Sequence, residues 1–139
     1  MSRITPQLFY SDVEYAIEWL QSHFEFSLGE VAKTSAGEYI YAELHINESL
    51  FLVAPDTRFE LAKSPKINTY NSQSIHVYID NTESFYEKLV EEDITILEPL
   101  GRRFCGDMTF RLLDCEGHLW TFCQHIEDVD VEKLAEITL

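Results

Sequence analysis

Apolar residues recur at spacings of three and four through Val13, Ala16, Ile17, Leu20 and Phe24. That single apolar stripe predicts a helix from Val13 to about His23. Ser11-Asp12 supplies its N-cap, and Glu14 in the first turn suits the positive end of the helix dipole. On either side the period shortens to two. It predicts strands over Ile4 to Tyr10, Glu25 to Thr34, Glu38 to Ile46 and Ser49 to Ala54, with turns at Ser35-Ala36-Gly37 and Asn47-Glu48. From Pro55 to Tyr70 no apolar period survives, and proline, lysine, serine and asparagine mark a connection.

The second half begins as the first did. A strand over Gln73 to Ile79 runs into Asp80-Asn81-Thr82 and a helix carrying Phe85, Leu89 and Val90. Strands are predicted at Thr95 to Glu98, Asp107 to Leu113 and His118 to His125. The last two are joined by Asp114-Cys115-Glu116-Gly117, whose glycine suits the left-handed turn position. In the tail from Asp130 to Ile137, Val131, Leu134 and Ala135 share one face, which predicts a short docking helix. Aligning Asp12 over Asp80 overlays strand, aspartate cap and amphipathic helix, so the chain reads as a duplicated α+β module. The expected organisation is one domain: module one over about 4–54, a linker over about 55–70, module two over about 73–126 and a terminal helix over about 130–137.

Alternation assigns the strand faces. Ile40, Ala42, Leu44 and Ile46 lie opposite Tyr41, Glu43 and His45; Ile75, Val77 and Ile79 lie opposite Ser74, His76 and Tyr78. One face of each sheet is then apolar and covered by helix, and the other is polar. A polar, aromatic face with Glu43, His45, His76 and Tyr78 suits either the wall of a cavity or a plain solvated sheet.

Composition narrows the function classes. The chain has 139 residues, 45% of them apolar and 25% charged, which is globular rather than disordered. Ten basic residues against twenty-five acidic ones leave a net charge of −15, which repels phosphate backbones and anionic lipid and attracts cations. We therefore expect no nucleic-acid partner and no membrane role, although acidity also simply favours solubility. No apolar run approaches the roughly 20 residues of a membrane helix, and Met1-Ser2-Arg3-Ile4-Thr5-Pro6 lacks an export signal's apolar core, so a cytoplasmic protein is expected. Cys105, Cys115 and Cys123 are odd in number and show no C-x-x-C spacing, so neither a disulfide framework nor a zinc knuckle is supported.

Four stretches in this order resemble a known family. Gly106-Asp107-Met108-Thr109-Phe110-Arg111 through Asp114-x-Glu116-Gly117-His118-Leu119-Trp120-x-Phe122 resembles the C-terminal signature of the glyoxalase/bleomycin-resistance/dioxygenase (vicinal oxygen chelate) superfamily. Pro6-x-Leu8-x-Tyr10-x-Asp12, with Ala16-Ile17-x-Trp19-Leu20 and Phe24-x-Phe26, is similar to its N-terminal signature. Tyr41-Ala42-Glu43-Leu44 fits an interior strand, and Val77-Tyr78-Ile79-Asp80 opens the second module. The resemblance, from about Ile4 to His125, implies an α+β fold of two tandem βαβββ modules whose mixed sheets curl into a cup, commonly in a homodimer.

Metal-dependent members hold a divalent ion through His, Glu or Gln on four strands. Carried over by motif, those positions fall on Thr5, seven before Asp12; Glu43; Ser74, six before Asp80; and Thr121, seven after Asp114. Only Glu43 is a good ligand, so no metal or other cofactor and no catalytic residue is expected. A displaced site of Glu43, His45 and His76 is the alternative. The chain most resembles the metal-independent bleomycin-resistance branch. That implies sequestration of a small cationic or aromatic molecule by Gln7, Phe9, Tyr41, Glu43, His45, His76, Tyr78 and Thr121. The competing readings are a divalent-metal lyase, isomerase or ring-cleaving dioxygenase, with Glu43 as ligand or base, and a structural domain whose centre is filled by side chains. Cys115 reads as a turn substitution, Cys123 as a small apolar wall residue, and Trp120 and Phe122 as core. Arg111 is expected to pair with a carboxylate or reach an anionic ligand, and His118 to be structural.

Overall fold

The computed structural model describes residues 2–136. In chain order it contains β1 (Gln7–Tyr10), α1 (Val13–Phe24), β2 (Ser27–Lys33), β3 (Tyr39–Ile46), β4 (Ser49–Pro55) and the short α2 (Pro65–Asn68). Then follow β5 (Ile75–Tyr78), α3 (Thr82–Glu91), β6 (Ile96–Arg102), β7 (Asp107–Leu113), β8 (Leu119–His125) and a 3-10 helix at Val131–Glu136. The class is α+β, built from two βαβββ modules. Each module has a four-stranded mixed sheet, ordered β1-β4-β3-β2 and β5-β8-β7-β6, in which only the first pair runs parallel. The chain divides into two compact units. One comprises the residues up to Asn71 together with Asp114–His118; the other comprises Ser72–Leu113 and the chain from Leu119 on.

In the first unit Asp12 caps α1, its Oδ1 accepting from the Tyr15 backbone N–H at 3.0 Å. The helix buries Val13, Ala16, Ile17, Leu20 and Phe24 and lies against β2, β3 and β4. Alternation then buries Ala42 and Leu44 of β3 and Val53 of β4 completely, and leaves Tyr41, Glu43 and His45 on the other face, partly exposed. In the second unit the cap is Asn81, which accepts from the Ser84 N–H at 3.0 Å. The halves therefore align with Asp12 over Asn81, one residue from the Asp80 alignment. Asp80 is exposed and lies outside the helix. Phe85, Leu89, Phe110, Leu112, Trp120 and Phe122 form this core; Phe85 sits edge-on to Phe122 at 4.8 Å between ring centroids.

Several boundaries differ from those expected. β1 starts at Gln7, and Ile4 is 96% exposed, because Pro6 offers no N–H and contributes only its carbonyl, to Leu52. β6 extends to Arg102 through Pro99: it is an edge strand paired only with β7, where a missing N–H is tolerated. Of the three residues expected on the buried face of α3, Phe85 and Leu89 are buried and Val90 is exposed; Thr82, at the start of the helix, is buried as well, its N–H and hydroxyl donating to Gln124. The tail forms a 3-10 helix in place of the expected α-helix, with Val131 76% exposed; Ile137 lies outside the described residues.

The expected linker is also more than a connection. Asp56 and Ser64 are buried, and Ser64 belongs to a polar cluster around the β7–β8 turn. Glu116 Oε1 accepts from the Ser11 N–H at 2.7 Å, the Ser11 hydroxyl at 2.9 Å and the Ser64 hydroxyl at 2.5 Å; Oε2 accepts from the Asp12 N–H at 2.8 Å. Asp114 accepts from the Tyr10 phenol at 2.5 Å and from the Glu116 and His118 backbone N–H groups at 3.0 Å each. His118 Nε2 lies 2.7 Å from the Phe9 carbonyl, which fits the structural role expected of it. Gly117 closes the turn at φ +95°, which other residues adopt only with strain.

Burial by itself would raise the Glu116 pKa, but the bonds from Ser64, Ser11 and Asp12 outweigh it and hold the pKa below the usual carboxylate value. A depressed folded-state pKa adds stability above the unfolded value of about 4.3, and that stability is lost as pH falls through the folded pKa. Replacing Glu116 by Gln keeps the shape but sets amide donors against N–H groups. Urea unfolding at neutral pH should show a loss of about 2 kcal/mol, and the difference from the parent protein should shrink as pH drops below about 4.

Candidate functional site

The strand registers define one polar row in each module. In the first, Gln7 of β1 lies opposite Leu52 of β4, and Leu52 lies opposite Glu43 of β3. In the second, His76 of β5 lies opposite Thr121 of β8, and Thr121 opposite Arg111 of β7. Gln7 is five residues before its cap, Asp12, and His76 is five before its cap, Asn81. The duplication thus equates Gln7 with His76, Leu52 with Thr121 and Glu43 with Arg111. Opposed residues in adjacent strands share a face.

The first row is shaped by an irregularity in β2. Its pairing with β3 shifts between Leu28 and Val31. That shift takes the Glu30 N–H out of the ladder, and it donates to Glu43 Oε1 at 3.0 Å. His45 Nε2 lies 3.4 Å from the same oxygen. The Glu30 N–H is the largest influence on Glu43 and lowers its pKa, burial opposing and His45 assisting. Gly29 leaves the room this pair needs: a Cβ there would meet the His45 ring, its Cδ2 at 2.7 Å, and Glu43 Oε1 at 3.0 Å. Tyr41 donates its phenol to Glu30 at 2.6 Å, which raises the Tyr41 pKa. Of the expected binding residues on this unit, Tyr41, Glu43 and His45 share the outer face of β3. Gln7 joins Glu43 through the Leu52 register, and half-buried Phe9 sits opposite Ala54.

On the second unit Thr121 is buried. Its hydroxyl is 2.9 Å from Ser74 Oγ and accepts from Arg111 Nε at 3.1 Å. Arg111 Nη1 reaches Glu98 Oε2 at 3.4 Å, while Glu98 Oε1 is held by Arg103 at 2.5 Å. His76 is exposed, with Nδ1 3.6 Å from the Cys123 thiol. Tyr78 donates to Asp107 at 2.9 Å, and that bond, with burial, lifts its pKa to about 12. His125 bridges Asp107 at 2.9 Å and Asp128 at 2.8 Å, which raises its pKa and lowers that of Asp107. Burial pushes the Cys115 thiol up to about 12 and the Cys123 thiol up to about 11, so neither is a reactive thiolate at neutral pH.

Pattern reading missed the Gly29 irregularity, the Asp107–His125–Asp128 bridge and the correspondence of Glu43 with Arg111. All three depend on pairing across strands, for which the sequence carries no local signal. The caps give a partial one: seven residues before each cap stand Thr5 and Ser74.

A family model matches residues 3–122, that of the Glyoxalase/Bleomycin resistance protein/Dioxygenase superfamily. The chain belongs to this superfamily. Among solved structures, TioX from Micromonospora sp. ML1 is similar at 21% identity over 91% of this chain and 100% of that one, with a TM-score of 0.71. A glyoxalase/bleomycin resistance protein/dioxygenase from Alicyclobacillus acidocaldarius is 15% identical over 91% and 92% of the two chains, TM-score 0.63. A lactoylglutathione lyase from Agrobacterium tumefaciens is 13% identical over 89% and 94%, TM-score 0.65. At such identities these likenesses show the fold. No protein of curated function matches the chain.

Superfamily members of the metal-dependent kind raise the question of an ion. The duplication sets Leu52, not Glu43, at the first-module counterpart of Thr121; Glu43 stands one strand further in, on β3. The corrected positions are Thr5 and Leu52 on the first unit and Ser74 and Thr121 on the second, with no carboxylate and no imidazole in either pair. Thr121 moreover has a guanidinium on its hydroxyl, and a metal cation there would face another cation. These residues do not fit a divalent ion. Among the described residues no three His, Cys, Asp or Glu side chains are gathered to hold a metal, and no helix is long and apolar enough to cross a membrane.

Two outcomes follow from this geometry. In Gly29→Ala the new methyl group displaces the flexible His45 ring rather than backbone, so the melting temperature should hardly change while the His45 ring resonances shift away from their Glu43-paired positions. In Asp107→Asn the Tyr78 phenol loses its acceptor carboxylate, and its ultraviolet titration should move from about 12 toward 10.

Proposed function

We propose that the protein binds a small organic molecule without a metal, as a homodimer, and performs no covalent chemistry on it. The observation that carries this reading is the donor set: Thr5, Leu52, Ser74 and Thr121 replace the ligands of metal-dependent superfamily members, and Arg111 occupies the Thr121 hydroxyl. The first unit supports a cationic or aromatic guest. Glu43 is held ionised by the Glu30 N–H and stands between Tyr41 and His45 on one face of β3. A carboxylate beside aromatic rings suits an organic cation, which gains charge pairing and ring contact together. The chain's net charge of −15 favours the same sign of guest at long range.

The test is a thermal-shift and equilibrium-dialysis screen of cationic aromatic dyes, alongside metal analysis of protein purified without chelator. At least one dye should raise the melting temperature. Its affinity should fall about tenfold in Glu43→Gln, as expected for loss of a charge-assisted contact. Stoichiometric Ni, Zn, Fe or Mn in the purified protein, or the absence of any response across the screen, overturns the reading. Sedimentation should report a dimer.

A further inference from the structure

The row His76–Thr121–Arg111 is a set of hydrogen-bond donors in a strongly acidic chain. We propose that this row, with Ser74, recognises an oxyanion, a carboxylate- or phosphate-type group on a small molecule. The inference concerns the second unit alone and goes beyond the reading above.

Four features carry it. First, the three side chains lie directly opposite one another on β7, β8 and β5, at steps of about 5 Å, and the Arg111 guanidinium, by reaching Thr121, comes one strand closer to His76. Second, the guanidinium is anchored at one edge only. Its Nε donates to Thr121, itself buried and bonded to Ser74, which fixes the plane of the group. Nη1 has only Glu98 at 3.4 Å, long beside the roughly 2.8 Å of a good ionic bond, and Nη2 has no partner among the described residues.

Third, Glu98 is already committed to Arg103 at 2.5 Å, so two guanidiniums share one carboxylate and a positive charge is left over. The other carboxylate near His76, Asp107, is engaged by Tyr78 and His125. Fourth, the row can be reached at both ends: the Arg111 side chain is 45% exposed and His76 is exposed, its Nδ1 3.6 Å from the Cys123 thiol. A planar guanidinium whose Nη edge is held only by one long contact to Glu98 matches the two oxygens of such a group, and the His76 imidazole and the Ser74 hydroxyl lie along the same row. A fixed organic cation of this kind needs no carboxylate ligands to hold it, which agrees with their absence from the row.

Uniformly 15N-labelled protein titrated with sodium benzoate, and separately with inorganic phosphate at constant ionic strength, tests this by NMR. At least one anion should give a saturable shift of the Arg111 Nε–Hε signal and the Thr121 amide. Saturation by benzoate only identifies a carboxylate site, and by phosphate only a phosphate-type site. Arg111→Gln should weaken binding at least about tenfold. Glu98→Gln, which releases Nη1, should strengthen it severalfold, and this arm decides the matter if Arg111→Gln fails to fold. Linear, unsaturable drift with both anions overturns the proposal, as does unchanged affinity in Glu98→Gln or in a folded Arg111→Gln. Such a failure leaves the metal-free reading intact, and a metal found in the purified protein removes that reading without touching Arg111.

Discussion

The two-residue period of a strand covered by helix on one side governs what this protein can present to a ligand. α1 takes Ala42, Leu44 and Val53 out of water, and α3 does the same for Phe110, Leu112, Trp120 and Phe122. Each of these burials is worth roughly 1.5–3 kcal/mol for a large side chain, and a one-residue slip would forfeit all of them at once. The register is therefore held by the apolar face, while its consequences appear on the other face. The rows Gln7–Leu52–Glu43 and His76–Thr121–Arg111 exist because the residues behind them must be buried.

Duplication makes these two rows comparable. The same strand order, the same parallel first pair and a side-chain cap five residues beyond the row's first member recur in both modules. What differs is chemistry on a shared frame. A carboxylate in one row is a guanidinium in the other, and an apolar Leu52 corresponds to a buried hydroxyl, Thr121. The frame is that of the superfamily, whereas the four positions that serve metal in some members carry groups that bind no divalent ion well. Fold and function separate at this level of detail.

The β7–β8 turn shows a second use of polar groups. Asp114 and Glu116 are buried carboxylates, normally a destabilising choice, but each oxygen is met by N–H or hydroxyl donors from Tyr10, Ser11, Asp12, Ser64 and the turn itself. Among the described residues no buried side-chain polar atom lacks a partner. Glu116 also accepts from the residues at the start of α1, where negative charge suits the helix dipole. The turn that closes one hairpin is in this way part of the first unit's polar core.

The sequence by itself determined the module pattern, because helix and strand periods, caps and turn glycines are local: Val13 to Phe24, Asp12, Gly37 and Gly117 were all legible. It also determined the polar faces, since parity follows from alternation, and so Glu43, His45, His76, Tyr78 and Thr121 could be named. It placed the metal counterpart on Glu43 rather than Leu52 and the second cap on Asp80 rather than Asn81. It did not reveal that Gly29 makes room for His45, that Ser64 and the turn carboxylates form one cluster, or that Arg111 stands opposite Thr121. Those features were decided by tertiary structure alone. Each is a pairing of residues separated by many positions along the chain, fixed by strand register and close packing, and neither leaves a periodic trace in the residues themselves.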